Sequence, residues 1–147
     1  MGIFSITNNN QFDYYVKKSL MTNTEEGFYK FLYEAFQAEY FIFPQVHLSA
    51  LVSSKDSGKR SWSAFLHING KSVDYVLCDR ETLMPVCAIE LDDWTHSWKS
   101  RVKRDREVER ILSEAGMPLV RIKDPKNVNL EGFYDYLSRA RAKRGIK

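Results

Sequence analysis

Cysteine is nearly absent: of 147 residues only Cys78 and Cys87 carry thiols, and both lie in apolar, strand-like runs. They read as buried free thiols in a reducing cytosol, which excludes a disulfide scaffold. Long hydrophobic runs are missing too. No stretch approaches the roughly 20 apolar residues that span a bilayer, and no signal-peptide pattern opens the chain. The start Met1-Gly2-Ile3-Phe4-Ser5-Ile6 has Ile6 where a myristoylation signal needs Ser or Thr. The expectation is a cytoplasmic protein with no membrane role. There is no internal repeat and no low-complexity segment.

What is present is an ordinary globular composition, 44% apolar and 28% charged, long enough to bury the core of one domain. The division expected is an N-terminal arm over 1–20, one domain over 21–143 and a basic tail end over 144–147. The formal charge of +3 is unevenly placed. Arg139, Arg141, Lys143, Arg144 and Lys147 crowd the C-terminus without an acidic residue, which suits nucleic acid, an anionic membrane surface or simply a solvated helix end.

Thr22-Asn23-Thr24-Glu25 fits a capping box with Thr22 as N-cap. Phe28, Phe31, Leu32, Ala35 and Phe36 follow at helical spacing. The run from Tyr40 to Val52 reads as a strand in which Pro44 marks a bulge or an edge. Ser53 to Arg60 has loop chemistry, and Trp62 to Ile68 is ambiguous between helix and strand. Ser72–Cys78 and Val86–Leu91 read as a hairpin of two strands. A charged helix from about Ser97 to Ala115 ends at Gly116, with Pro118 as its stop. Leu119–Lys123 is a short strand and Leu130–Lys143 a last helix. The order α-β-β-β-α-β-α describes an α/β fold, a small mixed sheet flanked by helices.

Chemistry concentrates on Val86-Cys87-Ala88-Ile89-Glu90-Leu91-Asp92-Asp93-Trp94-Thr95-His96. Strand alternation projects Glu90 and Asp92 from one side and Ile89 and Leu91 from the other. Asp74 lies inside the preceding apolar strand. Two carboxylates in such places need a partner. A divalent cation would serve, and so would core arginines, notably Arg121 and Arg104. Arg121 and Arg104 read equally as contacts to a phosphate. Gln45 and His47 share a strand face that borders this region, and Trp94 and Trp98 either stack on bases or pack.

A helix carrying Glu25, then strands carrying Asp74 and Glu90, then a helix and a strand resembles the PD-(D/E)xK nuclease superfamily, the restriction-endonuclease-like fold. More closely, Ser72–Asp79, Ile89–Asp93 with His96, Arg104-Asp105 and Gly116–Ile122 resemble an uncharacterised bacterial domain family of unknown function, related to very-short-patch repair endonucleases. The resemblance implies a nuclease-like domain that hydrolyses DNA with Mg²⁺ or Mn²⁺ held by Asp74, Glu90 and the Leu91 carbonyl. It puts Glu25 on the acidic position that members aim at the metal or its waters. The motif lysine should stand at position 92, where this chain has Asp92. Lys71, His96, Lys99 and Arg104 are candidates to supply the missing cation, His96 first because the repair endonucleases use a histidine there, and Asp92 would be a further ligand. The alternative is an inactive nuclease-fold module that binds DNA or a DNA-processing protein.

Overall fold

A computed structural model describes residues 14–92 and 99–146, with backbone alone for 99–102. Helix α1 (Asn23–Phe36) opens on the capping box: the Thr22 hydroxyl accepts from the Glu25 amide at 3.3 Å, and the Glu25 carboxylate accepts from the Thr22 amide at 2.6 Å. Phe28, Leu32 and Phe36, four residues apart, form its buried face. Four strands follow in the chain, β1 (Tyr40–His47), β2 (Ser72–Asp79), β3 (Pro85–Leu91) and β4 (Leu119–Ile122), and they lie in that same order across one sheet. The β1–β2 and β2–β3 pairs are antiparallel and β3–β4 is parallel, so the sheet is mixed.

The expected element order needs a correction between β1 and β2. The strand ends at His47 and not near Val52, because Leu48 turns into the core as the first residue of a short helix α2 (Leu48–Leu51). Trp62–Ile68 belongs to a second helix there, α3 (Gly58–Ile68). The order is therefore α-β-α-α-β-β-α-β-α, completed by α4 (Lys99–Glu114) and α5 (Leu130–Lys143). Helix α4 stops as its sequence implies. Gly116 takes φ +70°, and the amides of Gly116 and Met117 donate back to Ser113 and Leu112 at 3.0 and 2.8 Å. That reciprocal pattern caps the helix and packs Met117 on Leu112.

Two apolar clusters cover the two faces of the sheet. Helices α1 and α5 pack on Tyr75, Leu77, Cys87 and Ile89, whereas α2, α3 and α4 pack on Val76, Cys78 and Ala88. Strand alternation predicts this division except at two places. Val73 and Val46 both join the second cluster, next to the point where β1 leaves extended geometry at Gln45, φ +53°. In β3 the register shifts between Leu77, opposite Cys87, and Cys78, opposite Pro85. Val86 is the extra residue of a β-bulge, so the consecutive Val86 and Cys87 both enter the first cluster.

Asp79 is the one buried charged side chain among the described residues. The amide and hydroxyl of Thr82 donate to it at 2.9 and 2.7 Å, and Arg141 Nη1 at 2.5 Å. These bonds, those from Thr82 foremost, hold its carboxyl down at about 2. Arg144 donates to the Pro85 carbonyl at 3.0 Å, and Gly145, at φ +69°, turns Ile146 back into the first cluster. Two cations of the basic tail are thus tied to the fold, while Arg139 and Lys143 stay exposed. No helix among the described residues is long and apolar enough to cross a membrane.

Candidate metal centre

Asp74 and Glu90 come together because β2 and β3 pair antiparallel. Tyr75 faces Ile89, so one step further in the same register sets Asp74 against Glu90. The ladder ends there. The Leu91 amide donates to Asp74 Oδ2 at 2.7 Å in place of a backbone carbonyl. A strand residue presents its N–H and C=O to the same neighbour, so the Leu91 carbonyl lies on the edge that Asp74 occupies.

The electrostatics of this pair are unfavourable in both directions. Burial, and then the neighbouring Asp74, pushes the Glu90 carboxyl up to about 7, against the pull of Arg121 and Arg104. Burial also raises Asp74, with Glu25 adding to the rise; the Leu91 amide, Arg104 and Arg121 oppose it. Two half-buried acids whose second charge is resisted by the first are the setting in which a bound cation gains most. The donors, two carboxylates and one carbonyl, suit Mg²⁺ or Mn²⁺, which keep waters in their remaining positions. Among the described residues no group of three or more His, Cys, Asp or Glu side chains is placed to hold a metal. The set therefore depends on the carbonyl and on waters.

The other candidate residues divide. Arg121 is the cross-strand partner of Glu90, but its guanidinium grips Asp92 Oδ1 through Nε at 2.8 Å and Nη2 at 2.5 Å, and lies 3.6 Å from Asp105 Oδ2. Asp92, where the motif lysine was expected, is thus part of an ion-paired network. Glu25 sits near enough to Asp74 to disfavour its charge. Both oxygens of Glu25 are already engaged, one by the Thr22 amide and the other by Gln45 Nε2 at 2.9 Å. Tyr75 donates its hydroxyl to the Glu25 carbonyl at 2.5 Å, which fixes the start of α1 beside the sheet.

Lys71 turns away from the acids. Its ammonium donates to the His67 carbonyl and pairs with Glu107 Oε2 at 3.3 Å, beside the 2.8 Å contact of His67 with the same carboxylate. Arg104 is exposed, and its charge reaches Asp74 and Glu90 without a direct bond to either. His96, Trp94 and Trp98 lie outside the described residues, as does the side chain of Lys99. The sequence sets Asp105 and Arg104 near the apolar face of α4; Asp105 is half-buried there as the second anchor of Arg121, whereas Arg104 is exposed. The place of Asp105 three residues before the buried Val108 is the signal that it faces inward. Gln45, expected to border the site, does so by its bond to Glu25, reached through the break in β1 after Pro44.

A family model described as "Protein of unknown function (DUF2726)" matches residues 17–140. No curated protein and no solved structure matches the chain.

Proposed function

The chain belongs to the DUF2726 family, and we propose that it is a divalent-metal-dependent nuclease that hydrolyses DNA phosphodiester bonds. One observation carries the reading: Asp74 and Glu90 face each other at the end of the β2–β3 ladder, half-buried, with both carboxyls raised. The mixed sheet flanked by helices, with an acidic residue near each of α1, β2 and β3, fits a restriction-endonuclease-like core related to very-short-patch repair endonucleases.

In this reading Asp74, Glu90 and the Leu91 carbonyl hold Mg²⁺ or Mn²⁺, which when bound lowers the pKa of a water and offsets charge developing on the phosphate. The chain's own residues position the rest. Arg104, exposed beside the acids, meets a non-bridging phosphate oxygen, and Arg121 keeps Asp92 and Asp105 in place. The water oxygen bonds to phosphorus as the bond to the leaving sugar oxygen breaks, and that oxygen takes up a proton. In the absence of the motif lysine, His96 is the candidate to position the water.

Purified protein mixed with supercoiled plasmid, single-stranded and flapped DNA, with Mg²⁺ or Mn²⁺, is expected to nick at least one of them. Loss of nicking in Asp74→Ala and Glu90→Ala would support the assignment. Activity retained by both variants would overturn it.

The pairing of Asp92 with Arg121 favours a second reading, a nuclease-like module that binds DNA or a DNA-processing protein without cutting. Calorimetric titration with Mn²⁺ separates the two, since an inert module has no cation site that depends on Asp74.

A further inference from the structure

Helix α3 presents its apolar residues to solvent. Ile68 is its one buried residue, whereas Trp62, Phe65 and Leu66 are 63%, 37% and 54% exposed. The Trp62 and Phe65 rings stack with centroids 5.5 Å apart and planes 25° from parallel. Lys59 stands one turn before Trp62 on the same side of α3, and Lys55 and Arg60, also exposed, lie close to it in the chain. Two of these occupy the first turn of α3, which contains no carboxylate. Cations there oppose the helix macrodipole, so helix stability gives no reason for them. Asp56 lies 3.6 Å from Arg60 in a solvent-exposed contact of small energetic weight.

We propose that this face of α3 is a stacking platform for single-stranded nucleic acid. An unpaired base offers its π-face to Trp62 and Phe65 while the flanking phosphates meet Lys55, Lys59 and Arg60, the combination that single-strand binders use. Duplex DNA keeps its bases stacked on one another and hides those faces. A protein-docking core is depleted in lysine, whereas here lysine borders the aromatic pair. Helix α3 covers the same sheet face as Ala88 and α4, and Glu90 projects from the Ala88 side of β3. A strand seated on α3 would thus lie on the side of the sheet from which Glu90 projects. The platform rests on the nuclease reading for its place in a reaction, though not for its own chemistry.

The test is fluorescence anisotropy of a labelled mixed-sequence 20-mer, single-stranded and as the matching duplex, with the full chain in EDTA. The single strand is expected to bind more tightly than the duplex. Affinity should fall with salt at a slope of about −2, from about −0.7 per phosphate over three cations. Trp62→Ala should weaken single-strand binding by about fivefold or more, with Trp62→Tyr restoring most of it. Equal thermal melts of the variants establish that the fold is kept. The proposal is overturned if the duplex binds as well as the single strand, or if Trp62→Ala changes single-strand affinity by less than twofold. It is also overturned if Trp62→Ala instead abolishes binding to phosphatidylserine vesicles or self-association in sedimentation. Failure of the nuclease reading looks different: Mn²⁺ titration then shows no Asp74-dependent site, while binding to the single strand in EDTA persists.

Discussion

Glu90→Gln probes the acidic pair through the stability of the whole chain. In the folded state burial and the adjacent Asp74 raise the Glu90 carboxyl from its ordinary 4.5 to about 7. Between those two pH values the native chain holds a proton that the unfolded chain has released, so stability falls as pH rises. Below pH 4.5 both states are protonated, and above about 7 both are ionised, so the loss is confined to that window. At about 1.36 kcal/mol per pH unit of separation, the fall amounts to at most about 3 kcal/mol. Glutamine has the same shape and no charge to bury. The variant is expected to lose the slope and to exceed the wild type in stability at pH 8 by about 1–3 kcal/mol. Urea unfolding followed by circular dichroism, in EDTA from pH 4 to 8.5, reads this directly. Adding Mn²⁺ at pH 8 should then stabilise the wild type by mass action and leave Glu90→Gln unmoved. Parallel stability curves for the two proteins between pH 5 and 7, or a less stable variant at pH 8, would refute the account of Glu90 as a buried, repelled acid.

Three further outcomes are expected. Arg121→Gln removes a cation that favours the Glu90 carboxylate, so the pH at which the stability profile flattens should move upward in the same unfolding series. Leu83 holds φ +58° in the β2–β3 connection and is 57% exposed. Leu83→Gly should therefore raise the urea midpoint by the equivalent of about 1 kcal/mol, because glycine accepts that conformation without strain. Leu112, fully buried between α4 and the sheet, should cost about 2–5 kcal/mol on change to Ala, measured by thermal or urea unfolding.

Much of the scaffold was legible where local chemistry decides it. The Thr22–Glu25 box, the two strands around Asp79–Pro85 and the Gly116 stop are short-range signals, and each stands as expected within a residue or two. Helix α3 was not legible, because hydrophobic periodicity reports a helix through its buried face and α3 buries only Ile68. Pairings across long separations were equally hidden. Asp79 meets Arg141 from 62 residues away, and nothing near either residue announces the other. Asp92 meets Arg121 only because β3 and β4 run parallel and adjacent. Lys71, close to Asp74 in sequence, is drawn off by Glu107, a residue of α4 that faces it only in the folded chain.

The bulge at Val86 reaches beyond local geometry. Were the ladder to run straight through with Val86 paired and not bulged, Leu77 would face Val86, Tyr75 would face Ala88, and Asp74 would face Ile89 in place of Glu90. Every later side chain of β3 would then exchange faces. Glu90 would point among α1 and α5, and Ile89 would stand beside Asp74. The meeting of the two carboxylates is thus a matter of parity, set four residues before Glu90 by the bulge at Val86. A chain could keep both acids and lose the centre if this bulge were straightened and Val86 drawn into the ladder.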